Sequence, residues 1–421
     1  FRHEIGYQTS VLIHVTLVPY LKASGELKTK PTQQSVKALQ GMGISPDVIV
    51  CRTEVPLEDG IESKIALFCN VPEDHVLQNL DVEYLYEAPL AMEKERLAHV
   101  VCECLHLPCP EPQLGDWKQM VDALKNPTSE VTIALVGKYI QLHDAYLSVM
   151  EALKHGGIAN RTKVTIKWVD SEFLKPEALD DTFAGVDGII IPGGFGSRGT
   201  EGMILAANYA RENKIPFLGI CLGMQMAMVA FARNVLGYAD ANSSELDPET
   251  THPVVDLMPD QNGVENLGGT LRLGSYPCVL DKKSKAYSLY GTDMINERHR
   301  HRFEINNDYR DDFTSHGMML SGQSPDGHIV EMIELPDHPC YGGIQAHPEF
   351  KSRPNHAHPL FAGFVESAEE QGVLRRAKKL LMKRNHLSEP EAHRYLQKTS
   401  MDTGRTMAES AHMVTMLIQE D

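Results

Sequence analysis

Short apolar runs that alternate with helical patterns between residues 131 and 232 limit the fold more than any other feature of this chain. Alternation of this kind is typical of a parallel sheet with helices on its faces. The strand-like runs are 131–136, 163–169 and 188–194, and the helical segments between them are 144–157 and 202–212. We therefore expect residues 126–368 to form a doubly wound α/β domain.

The residues before this domain and those after it have different secondary-structure patterns. Residues 1–125 alternate helical patterns with the strand-like runs VLIHVTLV, PDVIVC and KIALFCNV, which predicts part of a second α/β domain before the turn-rich stretch at 125–129. Residues 369–421 contain no strand signal and are predicted to be helical throughout.

The C-terminal segment, 369–421, has the helix-capping signals and apolar spacing of a three-helix bundle. Ser388 with Glu391 and Thr406 with Glu409 have the spacing of capping boxes, and a further helical pattern runs from about Glu369 to Asn385. Apolar or packing positions recur at helical spacing, at Leu374, Ala377, Leu381, Ala392, Tyr395, Leu396, Thr399, Met407, Ala411, Val414 and Ile418.

Composition is that of a cytoplasmic protein with reduced thiols. No apolar run is long enough to cross a bilayer, and the formal net charge of −17 argues against a nucleic-acid surface over most of the chain. Cys102, Cys104 and Cys109 cluster without matching a common zinc spacing, so no metal site is predicted.

The sequence GICLGMQ at 219–225 places Cys221 between a buried-strand run and an apolar helical run. Flanking glycines suit a nucleophile elbow, where the backbone is strained and neighbouring chain segments approach closely. The helix start favours a thiolate, and the Leu222 amide can face a developing oxyanion. The alternative is a small buried cysteine at a strand–helix junction.

A thiolate nucleophile needs a base and a group that orients the base. In QAHPE at 345–349, His347 and Glu349 are two residues apart, so an extended chain would place both side chains on one side. The glycine turn IIIPGGFG at 189–196 offers a second oxyanion donor, the N–H of Gly194 or Phe195.

The order of G-x-C-x-G-x-Q, P-G-G-F-G and H-P-E resembles the glutamine amidotransferases of the Cys-His-Glu type. The resemblance implies that Cys221, His347 and Glu349 are catalytic. It also implies a glutamine site in which Gln225 and Glu245 receive the α-ammonium group and Arg302 pairs with the α-carboxylate. The backbone around this site would come from Gly194, Leu222, Gly223 and Met224.

Two segments of the second domain read RHRHRFEIN, at 298–306, and ANSSE, at 241–245, and three segments of the first domain read GELKTKPTQQSV, PDVIVCR and KIALFCNVP. Together they resemble the CTP synthase branch of that family. The resemblance implies ATP-dependent amination of UTP to CTP with ammonia from glutamine. It further implies magnesium, activation by GTP, inhibition by CTP and a homotetramer. Arg198, Gly199 and Glu201 match the family's GTP-linked lid, whereas Ser197 replaces its usual bulky residue.

Nucleotide contacts are carried over from the same resemblance. UTP and CTP would be held by Lys28, Thr29, Lys30, Pro31, Thr32, Gln33 and Lys64, and ATP by Leu80, Asp81 and Val82. Ammonium groups on a turn stiffened by proline suit a triphosphate. The alternative is that Lys28 and Lys30 are solvated loop lysines.

The sequence departs from the family at its start. The glycine-rich phosphate loop and the acidic magnesium ligands of CTP synthases are absent, and the first residue is Phe1. The sequence is therefore expected to be truncated or to belong to a degenerate relative. The second case would leave a glutaminase or glutamine sensor that acts as an RNA-binding antitermination regulator.

The C-terminal segment resembles the ANTAR domain, the RNA-binding module of transcription antiterminators, through A-x-x-L-L-M-x-R-x-x-L-S-E-x-E-A and the Y-L-Q, S-M-D and R-T that follow. The resemblance implies binding of stem-loop RNA through 369–421. A solvated basic helix and a reading frame joined by a sequencing error are alternatives. The basic residues are Arg375, Arg376, Lys378, Lys379, Lys383, Arg384, Arg394, Lys398 and Arg405.

Overall fold

The computed structural model describes residues 1–257 and 271–419, with side chains through Leu417. The chain divides into two compact units, Phe1–Lys125 and Asn126–Asp421. No helix in the described part is both long enough and apolar enough to span a membrane.

The first unit is built on a parallel sheet in the order β1-β4-β5, with β2 and β3 paired separately. Its strands are β1 Ile13–Leu17, β2 Tyr20–Leu21, β3 Glu26–Leu27, β4 Val48–Thr53 and β5 Val76–Leu80. Its helices are α1 Arg2–Ile5, α2 Lys30–Gly41, α3 Ile61–Cys69, α4 Ala88–Lys94, α5 Leu97–Cys104 and α6 Gly115–Lys125.

Two local expectations in this unit are wrong. KIALFCNV is helix α3 rather than a strand, because Ile65, Ala66 and Cys69 are buried at helical spacing while Leu67 and Phe68 face solvent. Helix and strand cannot be separated by periodicity in so short an apolar run. The turn stiffened by proline that was expected in KTKPTQ is likewise the start of α2, which begins at Lys30 after Thr29, and Pro31 occupies a position where a helix loses no hydrogen bond.

The second unit contains the predicted doubly wound sheet, extended by antiparallel strands. Its helices are α7 Leu147–Ala159, α8 Leu179–Phe183, α9 Thr200–Glu212, α10 Leu222–Phe231, α11 Lys285–Tyr290, α12 Arg310–Ser315, α13 Pro359–Asn385, α14 Glu389–Thr403 and α15 Met407–Gln419. Its strands are β6 Ser129–Gly137, β7 Thr162–Asp170, β8 Gly188–Ile191, β9 Phe217–Ile220, β10 Asn242–Ser243, β11 Pro253–Leu257, β12 Arg272–Leu280, β13 Met294–His301, β14 Phe303–Ile305, β15 Met319–Gln323, β16 Val330–Glu334 and β17 Tyr341–Ile344.

The large sheet has the order β13-β12-β15-β16-β17-β9-β8-β6-β7 within the described residues. From β17 to β7 neighbouring strands are parallel, and their buried residues pack against helices on both faces. Helices α9 and α10 cover one face, and α7 and α13 cover the other. The carboxyl ends of β6, β8, β9 and β17 therefore meet at one edge, the usual position of a ligand site.

Helix α13 runs without a break from the core of the sheet into the C-terminal segment. Phe361 and Phe364 belong to the sheet core, whereas Ala377 and Leu381 belong to a separate core shared with α14 and α15. The expected limit between residues 368 and 369 therefore has no counterpart in the backbone.

The three helices of the C-terminal segment pack around Val373, Ala377, Leu381, Ala392, Leu396, Ala411 and Val414. Both predicted capping boxes are present, since Glu391 accepts the Ser388 N–H at 2.8 Å and Glu409 accepts the Thr406 N–H at 2.8 Å. Tyr395 is predicted to lie in the core but is 47% exposed. Its neighbour Leu396 faces the core, and a helix turns by about 100° from one residue to the next. The side chain of Ile418 lies outside the described residues.

Candidate active site

Cys221 occupies the turn between β9 and α10 in the predicted elbow. Its backbone has φ 52° and ψ −107°, a left-handed conformation that costs a non-glycine residue on the order of 1–3 kcal/mol. The Cys221 N–H donates to Ile344 O at 2.7 Å, which ties the elbow to the neighbouring strand β17. This contact with the sheet helps to hold the strained backbone in place.

Glycines let the backbone around the elbow pack closely. A Cβ on Gly223 would lie 2.0 Å from Ile191 O at the end of β8, and a Cβ on Gly219 would lie 2.7 Å from the Gly223 backbone. Any side chain at either position would push α10 away from the sheet. The motif therefore requires glycine for close approach.

His347 and Glu349 form the predicted pair, but not in an extended chain. Pro348–Lys351 is a turn of 3₁₀ helix, and His347 Nδ1 lies 2.8 Å from Glu349 Oε1 across it. The His347 N–H donates to Arg298 O at 2.7 Å, which anchors the base to β13. The contact arises from the turn, so the expectation of an extended segment is wrong.

The imidazole and the thiol lie against the same glycine. A Cβ on Gly193 would be 2.8 Å from His347 Cε1 and 3.4 Å from Cys221 Cβ. Burial disfavours the charged imidazole, but hydrogen bonds and charge interactions with Cys221 and Glu349 outweigh it and raise the pKa of His347 to about 10. This environment favours the protonated imidazolium at neutral pH.

Two glutamines form a chain of hydrogen bonds that ends at the Cys221 sulfur. Gln345 is fully buried, and its Nε2 donates to Cys221 Sγ at 3.6 Å. Gln225 Nε2 donates to Gln345 Oε1 at 3.2 Å and to Phe303 O at 2.9 Å. The Gln225 amide group is thus committed to protein partners through its nitrogen, and its oxygen is the group left to meet an ammonium ion.

The loop after β8 carries the proposed second oxyanion donor. Gly194 packs on Leu222, and Lys138 at the end of β6 donates to the carbonyls of Phe195 and Gly196. Burial lowers the pKa of Lys138 to about 8, Glu245 opposes this shift and Arg198 adds to it. Sequence reasoning did not single out Gly193 or Lys138, although Gly193 lies in the predicted run 188–194 and Lys138 lies two residues after the predicted run 131–136.

Glu245 and Arg302 are close enough to interact beside Lys138. Partial burial raises the pKa of the Glu245 carboxyl although the side chain keeps exposed surface, and Lys138 and Arg302 oppose the shift. A site with one carboxylate and two cations suits an amino acid zwitterion. Met224 instead directs its side chain into the core near Gly343, so a contact with glutamine would come from its backbone.

A buried charged cluster, absent from the sequence interpretation, lies on the strands next to His347. Arg272 is 2.6 Å from Glu331 and 3.5 Å from Glu304, and His301 Nε2 is 2.5 Å from Glu304. Burial raises the pKa of Glu331 to about 7 and that of Glu304 to about 8, with Arg272 opposing both shifts.

The segment that resembles a lid is held by ion pairs. Arg198 donates to Glu172 at 3.2 Å and to Lys138 O at 2.9 Å, and Glu201 accepts both terminal nitrogens of Arg233 at 2.7 and 3.2 Å. Gly199 precedes α9 with φ 70°.

In the first unit, the residues carried over for UTP and CTP gather at the start of α2. Thr29 and Thr32 are buried, Gln33 Nε2 donates to Thr29 Oγ1 at 3.1 Å, and Lys28 pairs with Glu26. Lys30 and Pro31 form the exposed first turn, and Lys64 is exposed on α3. A helix N-terminus with adjacent lysines attracts phosphate.

The residues carried over for ATP directly follow a strand. Leu80 ends β5, the Asp81 N–H donates to Thr53 O at 3.1 Å, and the Asp81 carboxylate is 2.7 Å from Arg52. Val82 lines a cavity of about 550 Å³ with residues of α4 and α6.

Several basic residues of the C-terminal segment have partners within the chain. Arg375 is 2.9 Å from Asp187 and donates to Val186 O at 2.6 Å, while Arg376 reaches Glu130 O at 3.5 Å. Lys378 pairs with Glu389 at 2.7 Å. The basic stretch of the sequence is therefore not one continuous surface.

Comparison with protein families divides the chain in three. The CTP synthase N-terminus family matches residues 1–107, glutamine amidotransferase class-I matches 141–367, and the ANTAR domain matches 364–414. The ANTAR match thus begins inside α13, upstream of the expected limit.

Named relatives agree with this division. CTP synthase of Ruminiclostridium cellulolyticum is 59% identical over 368 residues, which cover 87% of this chain and 69% of the relative. CTP synthase of Clostridium beijerinckii is 56% identical over 370 residues, covering 88% of this chain and 69% of the relative. The glutaminase domain of Trypanosoma brucei CTPS, solved with bound acivicin, is 38% identical with a TM-score of 0.54, and the match covers 56% of this chain and 93% of that one.

One assignment follows from the elbow cysteine, the histidine–glutamate pair and the sequence identity to named enzymes. This chain belongs to the CTP synthase family and carries an ANTAR domain at its C-terminus.

Proposed function

We propose that this protein hydrolyses glutamine in its second unit to supply ammonia for ATP-dependent amination of UTP to CTP. The observation that carries the proposal is the joint contact of His347 and Cys221 at Gly193, with Glu349 behind the imidazole at 2.8 Å. Membership of the CTP synthase family supports the synthetic half of the reaction.

The hydrolytic steps follow from the geometry of the site. The Cys221 thiolate attacks the side-chain amide carbon of glutamine, and the Leu222 and Gly194 N–H groups stabilise the resulting oxyanion. His347 gives its proton to the leaving nitrogen, so that ammonia departs and a thioester remains. His347 then takes a proton from water, and the hydroxide hydrolyses the thioester to glutamate and regenerates the thiolate.

Recognition of glutamine is assigned to groups around the elbow. The Arg302 guanidinium would donate two hydrogen bonds to the α-carboxylate in a fork, and Glu245 with Gln225 Oε1 would accept hydrogen bonds from the α-ammonium group. The backbone of Gly223 and Met224 would close the pocket beside the side-chain amide.

UTP and the inhibitor CTP are assigned to the start of α2 with Lys28, Lys30, Thr29, Pro31, Thr32, Gln33 and Lys64. ATP is assigned to Leu80, Asp81 and Val82 after β5. The described residues contain no group of three or more His, Cys, Asp or Glu arranged to hold a metal ion, so no step is assigned to magnesium on this chain. GTP activation through Arg198, Gly199 and Glu201, a homotetramer and a cytoplasmic location extend the proposal from the family.

The C-terminal helices are proposed to bind stem-loop RNA, supported by the ANTAR match at 364–414. The functional regions would then be 1–125 for nucleotide binding, 126–368 for glutamine hydrolysis and 369–421 for RNA. The second candidate is a glutaminase or glutamine sensor without synthesis that acts as an RNA-binding antitermination regulator, a role that the ANTAR match also fits.

Glutamate release from glutamine tests the first half of the proposal. The chain should form glutamate, and Cys221→Ala should form none while keeping the same thermal unfolding temperature. Activity that survives Cys221→Ala would contradict the assignment. Binding of UTP by calorimetry separates the two candidates, because a sensor without synthesis has no need of a pyrimidine nucleotide site.

A further inference from the structure

The outward side of α14 combines exposed apolar and basic side chains. Tyr395 is 47% exposed and Met401 is 78% exposed, while Arg394 and Lys398 are also exposed. These four residues, termed here the α14 face, are exposed, whereas Ala392 and Leu396 on the same helix are fully buried. Packing within the chain does not account for two large apolar side chains in water.

Helical spacing brings the four side chains together. Arg394 and Lys398 are four residues apart, and Tyr395 and Lys398 are three apart, so their side chains are neighbours on one surface. Arg394 Nε donates to Pro390 O at 3.3 Å, which holds the guanidinium along its own helix. Of the nearby acids, Glu391 is engaged by Ser388, and Asp402 is exposed one turn beyond Lys398.

Three other basic residues of the segment have partners within the chain. Arg375 and Arg376 contact Asp187, Val186 and Glu130, and Lys378 pairs with Glu389. RNA contacts therefore cannot be assigned to the basic stretch as a whole. The α14 face differs from that stretch in having an exposed aromatic ring beside two cations.

We propose that the α14 face is the surface that receives RNA, with an unpaired loop base stacked on Tyr395 and the flanking phosphates beside Arg394 and Lys398. The inference rests on the proposed RNA function of the C-terminal helices. Single-stranded loops expose base faces that stack on aromatic side chains, whereas a paired stem does not. Charge complementarity selects RNA over an apolar partner, because two cations lie beside the ring where the flanking phosphates would sit.

The test uses the whole chain and two RNA probes, a hairpin with an unpaired loop and a fully paired duplex of the same base composition. Affinity is measured by fluorescence anisotropy over a range of salt concentrations. Tyr395→Ala should weaken hairpin binding by about 5- to 150-fold, and Tyr395→Phe should keep it, because phenylalanine preserves the stacking surface. Lys398→Ala should lower the slope of log affinity against log salt by about one unit.

Arg375→Ala is the matched control, since it removes a basic residue whose guanidinium pairs with Asp187 of the sheet domain at 2.9 Å, and it should change neither quantity. Asp402→Asn should tighten binding, because it removes a negative charge next to the phosphates. Thermal unfolding confirms that each variant is folded.

Three outcomes count against the inference. If the wild type, Tyr395→Ala and Lys398→Ala bind the hairpin equally well, the α14 face is not the RNA-binding surface, although the chain still binds RNA. Equal losses for hairpin and duplex in Tyr395→Ala would overturn base stacking. A wild-type chain that binds neither RNA at low salt would overturn the RNA function and this surface with it.

Discussion

The Gln345 amide nitrogen lies 3.6 Å from the Cys221 sulfur and donates to it. The orientation of this amide is fixed, because its oxygen accepts from Gln225 at 3.2 Å. A buried donor aimed at the nucleophile favours the negatively charged sulfur over the neutral thiol.

Gln345→Glu should therefore slow both glutamine hydrolysis and alkylation of Cys221 by iodoacetamide. The change keeps the shape of the side chain but replaces a donor with a carboxylate beside the sulfur. A hydrogen bond to a charged group contributes about 1.5–3 kcal/mol, so we expect a loss of about 10- to 150-fold. Alkylation at the wild-type rate would show that the contact does not activate the thiol.

Glu349→Gln should reduce hydrolysis less than His347→Ala or Cys221→Ala, because an orienting group is partly replaceable and the base and nucleophile are not. Glu349 helps to raise the pKa of His347 to about 10, so its neutralisation lowers that pKa. The alkaline limb of the profile of kcat/KM against pH should then move to lower pH. An unmoved limb would mean that Glu349 does not stabilise the imidazolium.

Arg302→Lys should raise the KM for glutamine with little change in kcat, because lysine cannot reproduce the planar fork on the α-carboxylate. Steady-state glutamate release at several glutamine concentrations measures both constants. Arg298→Lys, on the outward side of β13, is the matched control. A fall in kcat at constant KM would place Arg302 in the chemistry instead of in substrate binding.

Lys30→Ala should weaken UTP and CTP by a similar factor of about 10, equal to about 1.4 kcal/mol, since one helix start would hold both triphosphates. Calorimetry with each nucleotide on the whole chain provides the measurement. Lys37→Ala, on the same helix but beyond its first turn, should leave both affinities as they are. Loss of one nucleotide alone would argue for separate sites.

His338 should make the folded protein less stable as the pH is lowered. Burial lowers its pKa to about 4, partly opposed by hydrogen bonds with Ala210 and Cys340. Below the unfolded-state pKa of about 6.5, the unfolded chain takes up a proton that the folded chain refuses, so stability falls until about pH 4. The contribution changes by at most about 1.4 kcal/mol per pH unit.

Urea unfolding of the wild type and His338→Gln at pH 7, 6 and 5 isolates this residue, because other titrating groups are common to both proteins. The variant should be less stable at pH 7, and the difference should shrink toward pH 5. A difference that stays constant would mean that His338 keeps an ordinary pKa in the folded protein.

Motifs with a fixed backbone requirement were predictable from the sequence. The Cys221 elbow could be predicted because strand, glycine and helix signals agree there, and both capping boxes because Ser388 and Thr406 are followed by glutamate at the required distance. The nature of α3 was not predictable, since Leu67 and Phe68 look like core residues until the burial of their neighbours is known. Lys138 and Gln345 were missed because each acts through contacts with residues distant in the sequence.

The direction of charged side chains was also beyond the sequence. Arg375 and Arg376 belong to a basic stretch, but only the packing of α13 against the sheet shows that they meet Asp187 and Glu130. Tyr395 has core-like spacing when considered alone, and its exposure depends on which face of α14 meets α15.

The unbroken helix α13 makes the junction sensitive to helical phase. One residue inserted after Ala368 would turn everything beyond it by about 100° and separate Arg375 from Asp187 while the helix itself stayed intact. Seven inserted residues would restore the original facing to within about 20° but move the C-terminal helices about 10 Å along the axis. Changes in length at this junction are therefore constrained by rotation more than by distance, unlike those in a flexible linker.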